Sequence, residues 1–199
     1  VLRDVLNLIR PGDVIFDVGA NVGTHAILFA RKTGPEGKVI AFEPEPGVAA
    51  RLVENVQLNG LNNVALESPA LGAADGETVL YVDRRDGSGQ HRLKAKEGWS
   101  KQVIQIMTGD GLIERGDAPF PDVIKIDVEG AELDVLIGLD TTLRSDRCRM
   151  VVCEAHNPEL SERGSTPEDV IALLREMGYS DIDIRPRGTE SHLIAKKQH

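Results

Sequence analysis

The sequence predicts an α/β fold, a mostly parallel sheet covered by helices with a β-hairpin inserted near the middle of the chain. Three observations predict it. Short apolar runs alternate with helical periodicity over residues 14–68 and again over 122–178, and that alternation means parallel strands joined by right-handed crossovers. The first apolar run, Val14-Ile15-Phe16-Asp17-Val18, passes through Gly19-Ala20-Asn21-Val22-Gly23 directly into a helix. Between Pro69 and Pro121 the rhythm breaks, and two strand-like runs flank a polar segment.

In chain order, Val1, Val5, Leu8 and Ile9 form the stripe of a lead-in helix over residues 1–10, stopped by Pro11-Gly12. After the first strand and its glycine turn, residues 26–30 are an apolar helix that ends near Gly34-Pro35. A second strand covers residues 38–43. The helix from Pro46 places Val48, Leu52 and Val56 on one face, ends near Asn59-Gly60 and leads to a third strand over 64–68.

Residues 78–82 and 103–107 then read as the hairpin of an inserted unit, about 72–109, that lies on the ligand side. Residues 110–114 form a short helix. Residues 122–127 are the fourth strand, followed by a helix with Leu133, Leu136 and Ile137 inward, and residues 150–154 are the fifth. Thr166-Pro167-Glu168-Asp169 supplies an N-cap, a first-turn proline and two acids for a helix presenting Val170, Leu173, Leu174 and Met177, which stops at Gly178. Residues 181–184 and 191–195 pair as an antiparallel hairpin.

Composition narrows the function. At 199 residues, 41% hydrophobic and 28% charged, the chain fits one globular domain spanning 1–199. A net charge of −9 and a pI near 5.1 argue against a broad nucleic-acid surface and favour small or neutral substrates. Cys148 and Cys153 lie in one apolar segment, where a strand would point them to opposite faces, so they read as unbridged thiols of a reducing compartment. No apolar run approaches the ~20 residues of a membrane span, and the N-terminus lacks the order of a signal peptide, which fits a cytoplasmic protein. The chain opens on Val1 rather than Met, as a piece of a longer protein would. The oligomeric state is left open.

The chemistry centres on Asp17-x-Gly19-x-Asn21-x-Gly23. A glycine turn between a buried strand and a helix points backbone N–H groups and the helix dipole at a ligand, and glycine keeps a Cβ from holding that ligand off. The pattern departs from the dinucleotide fingerprint, having Asn21 where that motif has a glycine. Glu43 closes the second strand, where a ribose diol expects an acidic acceptor.

Three segments, 16–24, Ala41-Phe42-Glu43-Pro44 and Lys125-Ile126-Asp127-Val128-Glu129-Gly130-Ala131-Glu132, resemble in order and spacing the signatures of the FkbM family of S-adenosylmethionine-dependent methyltransferases. The likeness covers about residues 14–154 and is most specific at Asp-Val-Glu-Gly-Ala-Glu. It implies a Rossmann-like, seven-stranded sheet whose last strand is antiparallel, with S-adenosyl-L-methionine as cofactor. By position it implies that Asp17, Gly19, Ala20, Asn21 and Gly23, with Thr24 beside them, line the methionine part. Glu43, next to Pro44, holds the ribose hydroxyls. Ser68, Ala70 and Leu71 border the adenine, and Asp127 lies beside the transferred methyl.

Displacement at a sulfonium methyl needs alignment and a dry site rather than a nucleophilic side chain. For a hydroxyl acceptor a base helps, and Asp127, Glu129, Glu154 and His156 cluster at the ends of strands four and five. Asp127 also suits a helix N-cap, Glu132 suits a structural role in the first turn, and His156 suits a plain loop histidine. A metal bridging these carboxylates is the alternative to a base, but their spacing lacks a recognised metal signature, so none is expected. The chain lacks the Asn/Asp-Pro-Pro-Tyr segment of nucleic-acid amino methyltransferases and the Pro-Cys of cytosine C5 enzymes, which leaves O-methylation. The resemblance implies sugar, glycolipid or natural-product hydroxyls as acceptors. Arg84, Arg85, His91, Arg92 and Trp99 make the inserted segment a candidate flap over the site.

Two other readings share these features. An NAD(P)-dependent oxidoreductase would share the fold class and the ribose acid, but neither tyrosine heads a Tyr-x-x-x-Lys pair, since Tyr81 is followed by Arg85 and Tyr179 by Asp183. A non-catalytic cofactor-binding module of a larger protein is the other.

Overall fold

The computed structural model describes residues 1–82, the backbone of 91–92, and 99–198. A lead-in helix α1 (Leu2–Leu8) precedes β1 (Val14–Val18), α2 (Thr24–Thr33), β2 (Lys38–Phe42), α3 (Pro46–Leu58) and β3 (Val64–Glu67). The chain then forms β4 (Ala70–Leu71), β5 (Gly76–Val82), β6 (His91–Arg92), β7 (Ser100–Met107) and α4 (Gly109–Glu114). After β8 (Val123–Ile126) come α5 (Glu132–Ile137), α6 (Asp140–Arg144), β9 (Met150–His156), α7 (Asn157–Glu162) and α8 (Pro167–Glu176). β10 (Asp181–Arg187) and β11 (Glu190–Lys196) finish the chain.

The main sheet has seven strands in the order β10-β11-β9-β8-β1-β2-β3. Strands β1, β2, β3, β8 and β9 are parallel, and β11 runs antiparallel to both of its neighbours, as the family resemblance implies. β1 pairs with β2 and β8 along its edges and has helices packed on both faces, so Ile15, Phe16, Asp17 and Val18 are all buried. Both faces of a central parallel strand need apolar residues, hence the unbroken run.

Odd and even positions separate the two cores. Phe16, Val18, Ile40, Phe42, Ile124 and Ile126 face α5 and α8. Ile15, Val39, Ala41 and Val123 face α1, α2 and α3. Thr166 and Asp169 close a reciprocal capping box on α8, the N-cap expected from sequence. Chain order reverses at β1, with β2 on one side and β8 on the other, which opens a crevice at the carboxyl ends of these strands.

The inserted unit is a second sheet of order β4-β7-β5-β6. The β5–β7 hairpin matches the expectation, with both strands longer than predicted. β4 was not foreseen. The chain leaves β3, and Ala70 and Leu71 pair in parallel with Ile106 and Met107.

Several sequence expectations are corrected. Ile137, expected inward, is 50% exposed, because a six-residue helix has one inward stripe and Val135 and Leu136 occupy it. In α1 only Val5 and the following Ile9 are buried, whereas Val1 and Leu8 are exposed. Cys148 and Cys153 are free and buried, yet both belong to one core face, because Cys148 precedes β9 and is not bound by strand alternation. Helices α6 and α7 were not read from sequence. Among the described residues no helix is long and apolar enough to cross a membrane.

Candidate active site

The turn after β1 is closed by its own hydrogen bonds. The amides of Gly19 and Ala20 both donate to the carbonyl of Phe42, at 3.1 and 3.0 Å. Asn21 N donates to Glu43 Oε2 at 3.0 Å, Val22 N to Asn21 Oδ1 at 2.7 Å, and Gly23 N to Ala20 O at 2.9 Å. The five N–H groups therefore face the protein rather than a ligand, contrary to the sequence expectation. Such a turn has no phosphate cradle.

The glycines have steric reasons of a different kind from the one expected. Gly19 has φ 72°, and a Cβ there would overlap the carbonyl oxygen of Asp127. A Cβ on Gly23, φ 87°, would sit 3.0 Å from Leu52 Cγ. Asn21 takes φ 51°, a conformation that asparagine tolerates better than most residues.

A cavity of ≈370 Å³ lies over this turn, lined by Gly19, Asn21, Glu43, Pro44, Ala70, Leu71 and Asp127 among others. Ser68, Ala20, Gly23, Thr24 and Asp17 are not on its wall. Thr78, Leu80, Ile104 and Ile106 of the second sheet also line it, so the inserted unit covers the site through its sheet. Of the proposed flap residues, Arg84 and Arg85 lie outside the described residues, and only the backbone of His91 and Arg92 lies within them, as β6. Trp99 is buried, 8% exposed, rather than displayed as a recognition element.

Glu43 is 1% exposed. Its Oε1 accepts from Glu45 N at 2.9 Å, and burial pushes the carboxyl up to about 7 against the pull of its backbone donors. With Asn21 on Oε2, the carboxylate is fixed at the end of β2 on the cavity wall.

Asp17, expected to face the ligand, points into the other core and pairs with a residue that sequence reasoning missed. Lys125 Nζ lies 3.0 Å from Asp17 Oδ1 and 3.4 Å from Asp127 Oδ2, and it donates to Gly19 O at 2.8 Å. Burial opposes its charge, but the two carboxylates raise its pKa. The available signal was a lysine inside the apolar run 123–126, which a parallel central strand does not tolerate without a buried partner. Register pairs it with Asp17.

Asp127 and His156 meet beyond the sheet, His156 Nε2 to Asp127 Oδ1 at 3.7 Å. Asp127 is no helix cap, because α5 begins later, with Ala131 at its N-cap. Glu132 is 0% exposed and accepts from His156 N at 3.3 Å, Gly130 N at 3.1 Å and the His156 Nδ1 side at 2.7 Å. It therefore orients the imidazole, in keeping with the structural role read from sequence. Burial opposes the imidazolium, but the hydrogen bond and charge of Glu132 raise His156 to about 9. Glu129 takes φ 46° and lines the cavity.

Glu154 completes the cluster. Burial first, then the charge of Asp127, raise it to about 7. Asp127, Glu154 and His156 bring one ligand atom each within 4.8 Å of one another, a set that can hold a cation. Three of the four candidate catalytic residues thus converge, with Glu129 nearby on the cavity wall.

Comparison with known proteins places this arrangement. The precorrin-6y C5,15-methyltransferase of Geobacter metallireducens superposes with a TM-score of 0.58 at 15% identity, covering 100% of this chain and 88% of that one. An S-adenosylmethionine-dependent O-methyltransferase of Thermotoga maritima gives 0.55 at 15% identity, with coverages of 100% and 64%. The fold is that of the Rossmann-like methyltransferases.

Residues 17–180 match the methyltransferase FkbM domain. The hexuronic acid methyltransferase AglP of Haloferax volcanii is 32% identical over 199 residues, 100% of this chain and 77% of the relative. The 31-O-demethyl-FK506 methyltransferase FkbM of Streptomyces tacrolimicus is 32% identical over 224 residues, 96% of this chain and 82% of the relative. The chain belongs to the FkbM family of S-adenosylmethionine-dependent methyltransferases.

Proposed function

We propose that this protein transfers a methyl group from S-adenosyl-L-methionine to a hydroxyl oxygen of a sugar or natural product. The observation that carries the reading is the position of Asp127, which lines the cavity over the glycine turn and also lies within 4.8 Å of Glu154 and His156. A cofactor site and a proton-handling cluster therefore share one carboxylate. Two relatives, a hexuronic acid methyltransferase and a 31-O-demethyl-FK506 methyltransferase, support this acceptor class, as does a third, the 2-O-methyltransferase NoeI of Sinorhizobium fredii at 27% identity over 98% of this chain.

The donor set fits this cofactor. A buried acid at the end of β2 suits a ribose diol, the apolar side chains Ala70 and Leu71 suit the edge of an adenine, and the absence of outward N–H groups from Gly19 to Gly23 suits a ligand without phosphate. The same closed turn disfavours a dinucleotide, whose pyrophosphate needs those donors. The convergent acids and His156 disfavour a non-catalytic module.

When bound, S-adenosylmethionine supplies an electrophilic methyl on a sulfonium. The chain does the rest. Glu43 and Asn21 hold the ribose end, and Asp127 faces the reacting centre. Glu154, with a pKa of about 7, accepts the hydroxyl proton as the new bond forms, because a base is most effective when its pKa is near the working pH. His156 stays protonated near neutrality, held by Glu132, and steadies the Asp127 carboxylate.

The reaction needs no metal in this reading, since Lys125 and the His156 imidazolium already face Asp127. Two free buried thiols and a net charge of −9 support a cytoplasmic setting and a small-molecule rather than a nucleic-acid acceptor. Calorimetry with S-adenosylmethionine, S-adenosylhomocysteine and NAD tests the cofactor, and radiolabelled methyl transfer to a panel of glycosides tests the reaction. Binding of NAD without either adenosyl ligand would overturn the reading.

A further inference from the structure

A second cavity of ≈400 Å³ opens on the α1/α2 face of the sheet and is lined by His25, Phe29, Lys125, Glu154, Arg187 and His192 among others. It adjoins the first. Lys125 lines the second cavity while its Nζ sits 3.4 Å from Asp127 of the first, and Glu154 of the second has a carboxylate oxygen within 4.8 Å of one from Asp127.

One polar group in it lacks an explanation within the protein. His192 is 7% exposed, its Nδ1 is 3.4 Å from Glu154 Oε2, and its buried Nε2 has no hydrogen-bond partner among the described residues. Burial and the charge of Arg187 keep the ring neutral. In a neutral ring Nε2 either donates or accepts, so a hydroxyl, which can do both, is a suitable partner. A buried polar atom left unpaired is costly unless something else completes it.

The remaining lining supplies two further contacts. His25 stacks on Phe29, ring centroids 5.9 Å apart at 22°, and both border the cavity, where an aromatic pair can pack against a ring. Arg187, on the last residue of β10, lines the cavity and makes no ion pair with a described residue.

Resting on the methyl-transfer reading, we infer that this second cavity is the acceptor subsite and that its ligand is a hydroxylated ring bearing an anionic group, such as a sugar acid. A hydroxyl of the ring pairs with His192 Nε2, and the ring packs along Phe29 and His25. The anionic group pairs with Arg187, and the hydroxyl to be methylated reaches Asp127 past Glu154. Acid groups around Glu154 exclude the anion from the inner end, which fixes the ligand's orientation.

The test is calorimetric titration of p-nitrophenyl β-D-glucuronide and the neutral p-nitrophenyl β-D-glucoside into the protein, with and without saturating S-adenosylhomocysteine. The glucuronide binds better than the glucoside, Arg187→Gln weakens it by about tenfold and removes the preference, and Leu2→Trp, which fills the cavity from α1, abolishes binding of both. Circular dichroism confirms that each variant is folded, and both keep the wild-type affinity for S-adenosylhomocysteine. No saturable glucuronide binding to the wild type, or binding unchanged in both variants, overturns the subsite. Failure of the wild type to bind S-adenosylhomocysteine removes the methyl-transfer reading instead, and the glucuronide isotherms then decide the cavity by themselves.

Discussion

The backbone N–H of Asn21 donates to Glu43 Oε2 at 3.0 Å, tying the glycine turn after β1 to the acid that ends β2. One bond thus sets the shape of the turn and the direction of the Glu43 carboxylate, the proposed ribose acceptor, together. Glu43→Ala removes the acceptor for Asn21 and Glu45 as well as the proposed contact to the cofactor. The expected loss is about 1–3 kcal/mol in S-adenosylhomocysteine binding, read by calorimetry. Unchanged affinity would take Glu43 out of the site.

Lys125 is the hinge of the buried electrostatics. Removing it leaves Asp17, 0% exposed, as an uncompensated charge between β2 and β8. Lys125→Met should lower unfolding free energy by about 3–5 kcal/mol in urea titrations, and the double variant with Asp17→Asn should recover part of that loss. An additive double variant would show that the pair does not couple.

The proposed catalytic cluster predicts a bell-shaped pH profile for kcat/KM. Glu154 must be deprotonated, so the rate climbs as pH rises through about 7, and His156 must be protonated, so it falls through about 9. Glu154→Gln loses the acid limb along with most of the turnover. Stability carries the His156 sign as well: its folded pKa is raised, so its contribution is full below about 6.5 and disappears as pH rises through about 9. The stability difference between wild type and His156→Gln, followed by denaturation at several pH values, should shrink over that window.

Two glycines of similar backbone angle separate strain from contact. Gly60, φ 65°, has open space where a Cβ would go, and Gly60→Ala costs about 1–2 kcal/mol from backbone strain alone. Gly19→Ala adds a collision with the carbonyl of Asp127 and displaces that residue. Comparative melting curves and turnover should show a larger melting-point loss and a disproportionate fall in kcat for Gly19→Ala. Equal effects would mean that the end of β8 yields to a Cβ at no cost.

Treatment with EDTA should leave methyl transfer within experimental error of the untreated protein. A loss of turnover restored by Mg²⁺ or Mn²⁺ would mean that Asp127, Glu154 and His156 hold a cation and that Lys125 and His156 do not suffice.

The legible parts of this protein were those in which local sequence and tertiary environment make the same demand. The central strands had to be apolar on both faces, the turn after β1 had to be glycine-rich, and the last helix had to open with Thr166 and Asp169. Glu43 and Asp127 stand out in the sequence because each closes a strand-like run, and the ends of strands are where a parallel sheet gathers its ligands. Short helices such as α6 and α7, and the two-residue β4, carried too few residues for periodicity to register.

From its residues alone, the chain determined the alternation of strands and helices, the crevice at β1 and the acids at the strand ends, because these follow from side-chain period and from glycine. Which way each polar group points was decided only by the folded structure. Asp17 meets Lys125 through the β1–β8 register, His192 meets Glu154 because β11 inserts beside β9, and the N–H groups of the glycine turn close onto Phe42 and Glu43 rather than opening to a ligand. These are pairings between segments far apart in the chain. Periodicity reports which face a residue takes and carries no information about the residue it will find there.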